Sequence, residues 1–134
     1  MKRIKTLILI LLLLAVTTGC TQDIVLHQPE SEIVQIDLVY SPFGENQILY
    51  TIMGEDTSGF LDNLQELRLY KHTSPQNIGG SFFVQIIYAD DSTELLGTAS
   101  VGYISNGVLE HDGWYYLSYD DLFTLFSEYT DLPE

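Results

Sequence analysis

Three histidines and a single cysteine are the strongest metal ligands and nucleophiles that this 134-residue chain offers. His27, His72 and His111 are widely separated, with no H-x-x-x-H and no C-x-x-C spacing. A structural zinc site takes about four closely spaced ligands, commonly with cysteine among them. The pattern therefore favours surface turn histidines over a metal centre. His111 and Asp112 are adjacent, but neighbouring residues of a strand point to opposite faces. Asp90-Asp91-Ser92-Thr93-Glu94 places three carboxylates within five residues. Calcium loops spread their oxygens over about twelve residues around a glycine. Without that register, the segment reads as a solvated hairpin tip. Neither "TSGF" nor "GGSF" has the G-x-S-x-G form of a nucleophile elbow. Gly79-Gly80-Ser81 lacks the lysine of a phosphate loop. No catalytic, metal or cofactor motif stands out, although sites assembled from distant residues leave little trace in a sequence.

Two clusters carry recognition chemistry instead. Arg68, Lys71 and His72 form a cationic spot, with Tyr70 among them. Trp114, Tyr115, Tyr116 and Tyr119 form an aromatic cluster. The first can be an internal ion pair worth about 0–1 kcal/mol at a surface, or a partner-binding spot. Strand parity sends Trp114 and Tyr116 to one face and Tyr115 and Leu117 to the other. One pair faces outward unless both faces are covered. Core packing is the commoner use of such residues; an exposed Tyr/Trp face is a recognition patch.

Cys20 has a different setting. The chain opens with Met1-Lys2-Arg3-Ile4-Lys5, runs unbroken and apolar from Leu7 to Val16, and reaches Cys20 through Thr17, Thr18 and Gly19. A basic start, an apolar stretch of about ten residues and small residues before a cleavage point are the parts of a secretory signal. A membrane-spanning helix needs about 20 apolar residues. Val16-Thr17-Thr18-Gly19-Cys20 resembles the lipobox of bacterial lipoproteins, with Thr17 where that family usually carries leucine. The resemblance implies cleavage before Cys20, a diacylglyceryl group on its sulfur, and a domain held at the extracytoplasmic side of the cell membrane. Two acyl chains meet the requirement for stable anchoring. On this reading residues 1–19 are the signal peptide, 20–31 the lipidated cysteine and a polar tether carrying Pro29, and 32–134 the folded domain.

Charge narrows the partners. The formal net charge is −14. Lys2, Arg3 and Lys5 would leave with the signal, and Arg68 and Lys71 are the only Lys or Arg beyond residue 19. So acidic a surface is repelled by a phosphate backbone, which excludes nucleic acid. It is also not drawn flat onto anionic lipid, which attracts basic residues. With no second cysteine, the fold must hold without a disulfide.

The elements that would position these residues follow from periodicity. Val34, Ile36, Leu38 and Tyr40 alternate with Gln35 and Asp37, predicting a strand over 32–41 with the first set buried. Pro42, Gly44 and Asn46 mark a turn. Ile48, Tyr50 and Ile52 predict a second strand, completing a hairpin. Asp56, Thr57 or Ser58 can cap a helix of about 57–68 with Phe60, Leu61, Leu64 and Leu67 inward. A loop over 71–81 leads to a strand at 82–89, apolar on both faces and hence central. One further strand around 95–103 contains Gly97 and Gly102. Asn106-Gly107 is a type I′ hairpin signal, Asp112-Gly113 a weaker turn, and 114–117 a short strand. Ser118 with Asp121 resembles a capping box, opening a terminal helix of about 119–129 lined by Leu122, Leu125, Phe126 and Tyr129.

The predicted order is β-β-α-β-β-β-α: a single α+β domain with an antiparallel sheet of about five strands and two helices on one face. The signal, this order and the stretches "GGSFFVQIIYADDSTELLG" and "HDGWYYLSYDDLFTLF" are similar to small lipoproteins of Gram-positive bacteria, a likeness that implies no particular activity. The expected function is a membrane-anchored, non-enzymatic domain that binds an envelope protein or polymer. The alternatives are a small hydrolase acting on envelope polymers and an extracytoplasmic sensor or inhibitor domain.

Overall fold

The computed structural model describes residues 21–76 and 81–133, apart from the side chains of His111 and Asp112. Cys20, Gly79 and Gly80 lie outside the described residues. The fold is α+β, with two α-helices and nine strands in two sheets among the described residues.

The larger sheet has six strands. β2 (Ile33–Tyr40) and β3 (Gln47–Ile52) form the hairpin that the alternating residues predict, around a 3₁₀ turn at Pro42–Gly44. β5 (Phe82–Tyr88) pairs antiparallel with β2 on its other side. β6 (Thr93–Gly97), β7 (Val101–Ser105) and β8 (Val108–Asp112) then add in sequence, each antiparallel to the last. Asn106 and Gly107 take φ of 52° and 76° at the β7–β8 turn, the left-handed pair that a type I′ hairpin demands.

The smaller sheet was not visible in the periodicity. β1 (Thr21–Asp23), β4 (Arg68–Lys71) and β9 (Tyr115–Leu117) lie in the order β1-β4-β9, both pairings antiparallel. This corrects the five-strand count. It also corrects two local expectations. Residues 21–31 are not a free tether, because Thr21–Asp23 pair with β4 and Ile24 is buried. Arg68 does not end the first helix, and Lys71 does not open a loop, because both belong to a strand. Strands as short and polar as β1 and β4 have no detectable alternation; the pairing Thr21↔Tyr70 spans more than a third of the chain.

One face of the large sheet carries the core. Ile36, Leu38, Val84, Ile86 and Phe82 meet helix α1 (Asp56–Gln65) through Phe60, Leu61 and Leu64, and helix α2 (Tyr119–Ser127) through Leu122, Leu125 and Phe126. The small sheet adds Leu69 and Leu117 to the same core. At about 25 cal/mol per Å² of buried apolar surface, this shared core is the main source of stability. Ser118 occupies the N-cap of α2 with extended backbone angles but makes no side-chain capping bond. Tyr129 lies just past α2 and packs edge-on against Phe60.

Two strand details differ from the alternation. A bulge between Ile33 and Gln35 turns Val34 out to solvent. Asp37, expected outside, is buried because β2 has neighbours on both sides. Its carboxylate accepts hydrogen bonds from Gln35 Nε2 at 2.9 Å and Thr51 Oγ1 at 2.7 Å, which a buried charge requires.

Candidate functional site

The β4–β9 pairing brings the cationic spot and part of the aromatic cluster together. Tyr70 lies opposite Tyr116, with ring centroids 5.8 Å apart. His72 follows β4 and stacks on Tyr116 at 4.2 Å. Its Nε2 is 2.6 Å from the carbonyl oxygen of Ala99 in the β6–β7 turn. That contact fixes the imidazole and fits a ring donating through Nε2, since a carbonyl only accepts. Lys71 Nζ sits 6.0 Å from the Trp114 ring centroid, within cation–π range. Arg68 is already engaged, because its guanidinium meets Asp23 and Thr21 across the β1–β4 pairing.

Strand parity decides which aromatics take part. Leu69, Tyr115 and Leu117 turn toward the core, while Tyr70 and Tyr116 turn away from it. Trp114 is in the turn before β9 and is 41% exposed. Tyr119 belongs elsewhere. It opens α2 and packs on Phe82 and Phe123. The outward surface is therefore Tyr70, His72 and Tyr116 beside the exposed Trp114, and Lys71, which shares the parity of Leu69, meets it through the Trp114 ring.

A second constellation had no sequence signal. Glu94, expected at a solvated hairpin tip, is 2% exposed and turned to the core face of β6. Asp90 and Asp91 do form the tip, with Asp91 at φ 67°. The Ser92 hydroxyl and amide hold the exposed Asp90 carboxyl below its ordinary value. Glu94 instead accepts hydrogen bonds from the Tyr88 hydroxyl at 2.7 Å and from the His27 amide at 3.0 Å. His27 Nδ1 lies 3.0 Å from Glu94 Oε2. A carboxylate can only accept, so Nδ1 is the donor in this contact. The imidazole lies flat on Tyr103, with centroids 4.2 Å apart and planes 3° apart. Burial first, and then the hydrogen bond to Glu94, push the Tyr88 phenol far above the ordinary tyrosine range. Gln28 continues the network, donating to Ser92 and Tyr103.

These groups border a cleft of about 610 Å³ between the two sheets. Leu69, Ile24, Leu96 and Val101 make its apolar walls; Asp23, Glu94, Glu110 and His27 supply its ionisable groups. A histidine oriented through Nδ1 by a carboxylate is the base half of a nucleophilic triad. Among the described residues, no serine, threonine or cysteine lines this cleft. No group of three or more His, Cys, Asp or Glu suited to hold a metal ion occurs among the described residues. None of the described helices is long and apolar enough to cross a membrane.

No protein-family model, curated protein or solved structure matches the chain.

Proposed function

We propose that this is a lipid-anchored, extracytoplasmic domain that binds an envelope protein or polymer through the Tyr70–Tyr116 surface. The observation that carries this reading is the β4–β9 pairing. It joins the exposed Tyr70 ring and the half-buried Tyr116 ring to His72, with Lys71 beside the exposed Trp114, on a domain that is otherwise acidic. Tyr and Trp supply large contact area with few rotors, and they dominate binding hot spots. The same residues on the inner face would be core; Tyr70 and Tyr116 are on the outer one.

The anchor supports the reading by position. Cys20 immediately precedes β1, and β1 pairs with β4. A lipid on Cys20 would hold the aromatic surface one strand away from the membrane attachment point, where envelope components are concentrated.

The test is recovery of partners from envelope extract by the full chain, repeated with Trp114→Ala and Tyr70→Ala across a salt series. An aromatic contact predicts at least thirtyfold weaker capture by the variants, equivalent to about 2 kcal/mol, and little response to salt. Steep salt dependence with unaffected variants would move the contact to the acidic surface, since charge steering is screened beyond about 8 Å at physiological ionic strength. Recovery of no partner would sink the binding reading.

A further inference from the structure

The cleft between the sheets is separate from the Tyr70–Tyr116 surface, and its chemistry is one-sided. Glu94 and Glu110 occupy the same cross-strand row on β6 and β8, both register partners of Tyr103 on β7. Adjacent strands are about 4.7–4.9 Å apart, so the two acidic positions flank a gap of roughly 10 Å. His27 covers the ring of Tyr103 in that row, with its Nδ1 held by Glu94. Among the described residues, no Lys or Arg lines the cleft. Asp23 is engaged by Arg68. The two remaining lining carboxylates, Glu94 and Glu110, can accept hydrogen bonds but cannot donate them.

We propose that this cleft binds a small organic cation with an apolar body, a protonated alkyl or cycloalkyl amine in chemical class. The ammonium donates toward Glu110 and is attracted by the Glu94 carboxylate beneath. Its hydrocarbon part lies against Ile24, Leu69, Leu96 and Val101, which come from both sheets. The volume is within the range of small-molecule sites, about 300–1,000 Å³. The network behind the site fixes its acceptors before any ligand arrives: Tyr88 and the His27 amide hold Glu94, and Glu94 holds His27. Such preorganisation lowers the entropy lost on binding. An anion of the same shape would face two carboxylates and is rejected by like charge.

The experiment is titration calorimetry of the full chain in mild detergent with three probes of one shape: cyclohexylammonium, cyclohexanol and cyclohexanecarboxylate. The ammonium should bind saturably at one site, at least tenfold tighter than the alcohol, and the carboxylate should not bind. Glu110→Gln, at an exposed position, should weaken the ammonium at least tenfold without changing the circular dichroism spectrum. Val101→Phe fills the cleft without altering its charge and should abolish binding. Equal binding of amine and alcohol, binding of the carboxylate, an unaffected Glu110→Gln, or retained binding in Val101→Phe each overturns the proposal. So does the absence of saturable amine binding. None of these outcomes bears on the aromatic surface, which lies outside the cleft.

Discussion

Glu94 is the residue on which the N-terminal segment and the large sheet meet. Its neighbour in function, Tyr88, is fully buried and donates to it. Tyr88→Phe keeps the packing and removes one hydrogen bond to a charged acceptor, so it should lower stability by about 1.5–3 kcal/mol at pH 7. The pH dependence has a definite sign. The folded state holds the Tyr88 proton more tightly than the unfolded chain. The stability linked to it is complete below the ordinary tyrosine pKa near 10 and is lost as pH rises above that value. Urea midpoints between pH 7 and pH 11 should therefore fall more steeply for the wild type than for Tyr88→Phe. Parallel curves would mean that Tyr88 ionises freely and is not desolvated as drawn. None of this was readable from "YADDSTE", where Glu94 looks like a third acid of an exposed turn. Its partner His27 is 67 positions away, and only the docking of β1 brings it near.

Among the elements, those with local periodicity were legible and those made by long-range pairing were not. The β2–β3 hairpin, the Asn106-Gly107 turn and the inward stripes of α1 and α2 all repeat within a few residues, and the structure retains them. β1 and β4 have one buried apolar residue or none, and β6–β7 reads as one strand because its Thr98–Ser100 turn has no Pro, Asn or Asp. The aromatic and cationic residues were visible as types, but their meeting depends on β4, the least periodic of these strands. Helix α2 offers the clearest test. Phe126 is fully buried against Phe82 at 5.5 Å. Truncation to Ala should cost about 3–5 kcal/mol, a large share of the roughly 5–15 kcal/mol of a typical domain. An unchanged thermal midpoint for Phe126→Ala would show that α2 does not pack on the sheet. By contrast Phe123→Ala should have a smaller effect, since Phe123 is 41% exposed.

At the scale of the whole molecule, the docking of β1 changes how an anchor would act. A tether of about ten residues would let the domain roam, whereas Thr21 is already in a strand next to Cys20. Arg68 binds Thr21 and Asp23 across that strand, and Ile24 is buried behind it. A lipid on Cys20 would then fix the orientation of the domain as well as its location. Wild-type chain expressed in a bacterium with labelled fatty acid should take up label and sediment with membranes, and Cys20→Ser should do neither. Equal labelling of the two would remove the anchor altogether. Given labelling, the docked strand predicts slow release of the domain by added protease, because cleavage near Thr21 requires the β1–β4 pairing to open first. Inserting ten Gly/Ser residues after Cys20 adds a flexible spacer of about 16–19 Å root-mean-square length. It should turn slow release into fast release while leaving the domain's thermal midpoint unchanged. If wild type and insertion variant are released at the same rate, β1 is open on the membrane and residues 21–31 act as a tether after all. A lowered midpoint in the insertion variant would instead show that the short link to the anchor contributes to holding β1 in the sheet.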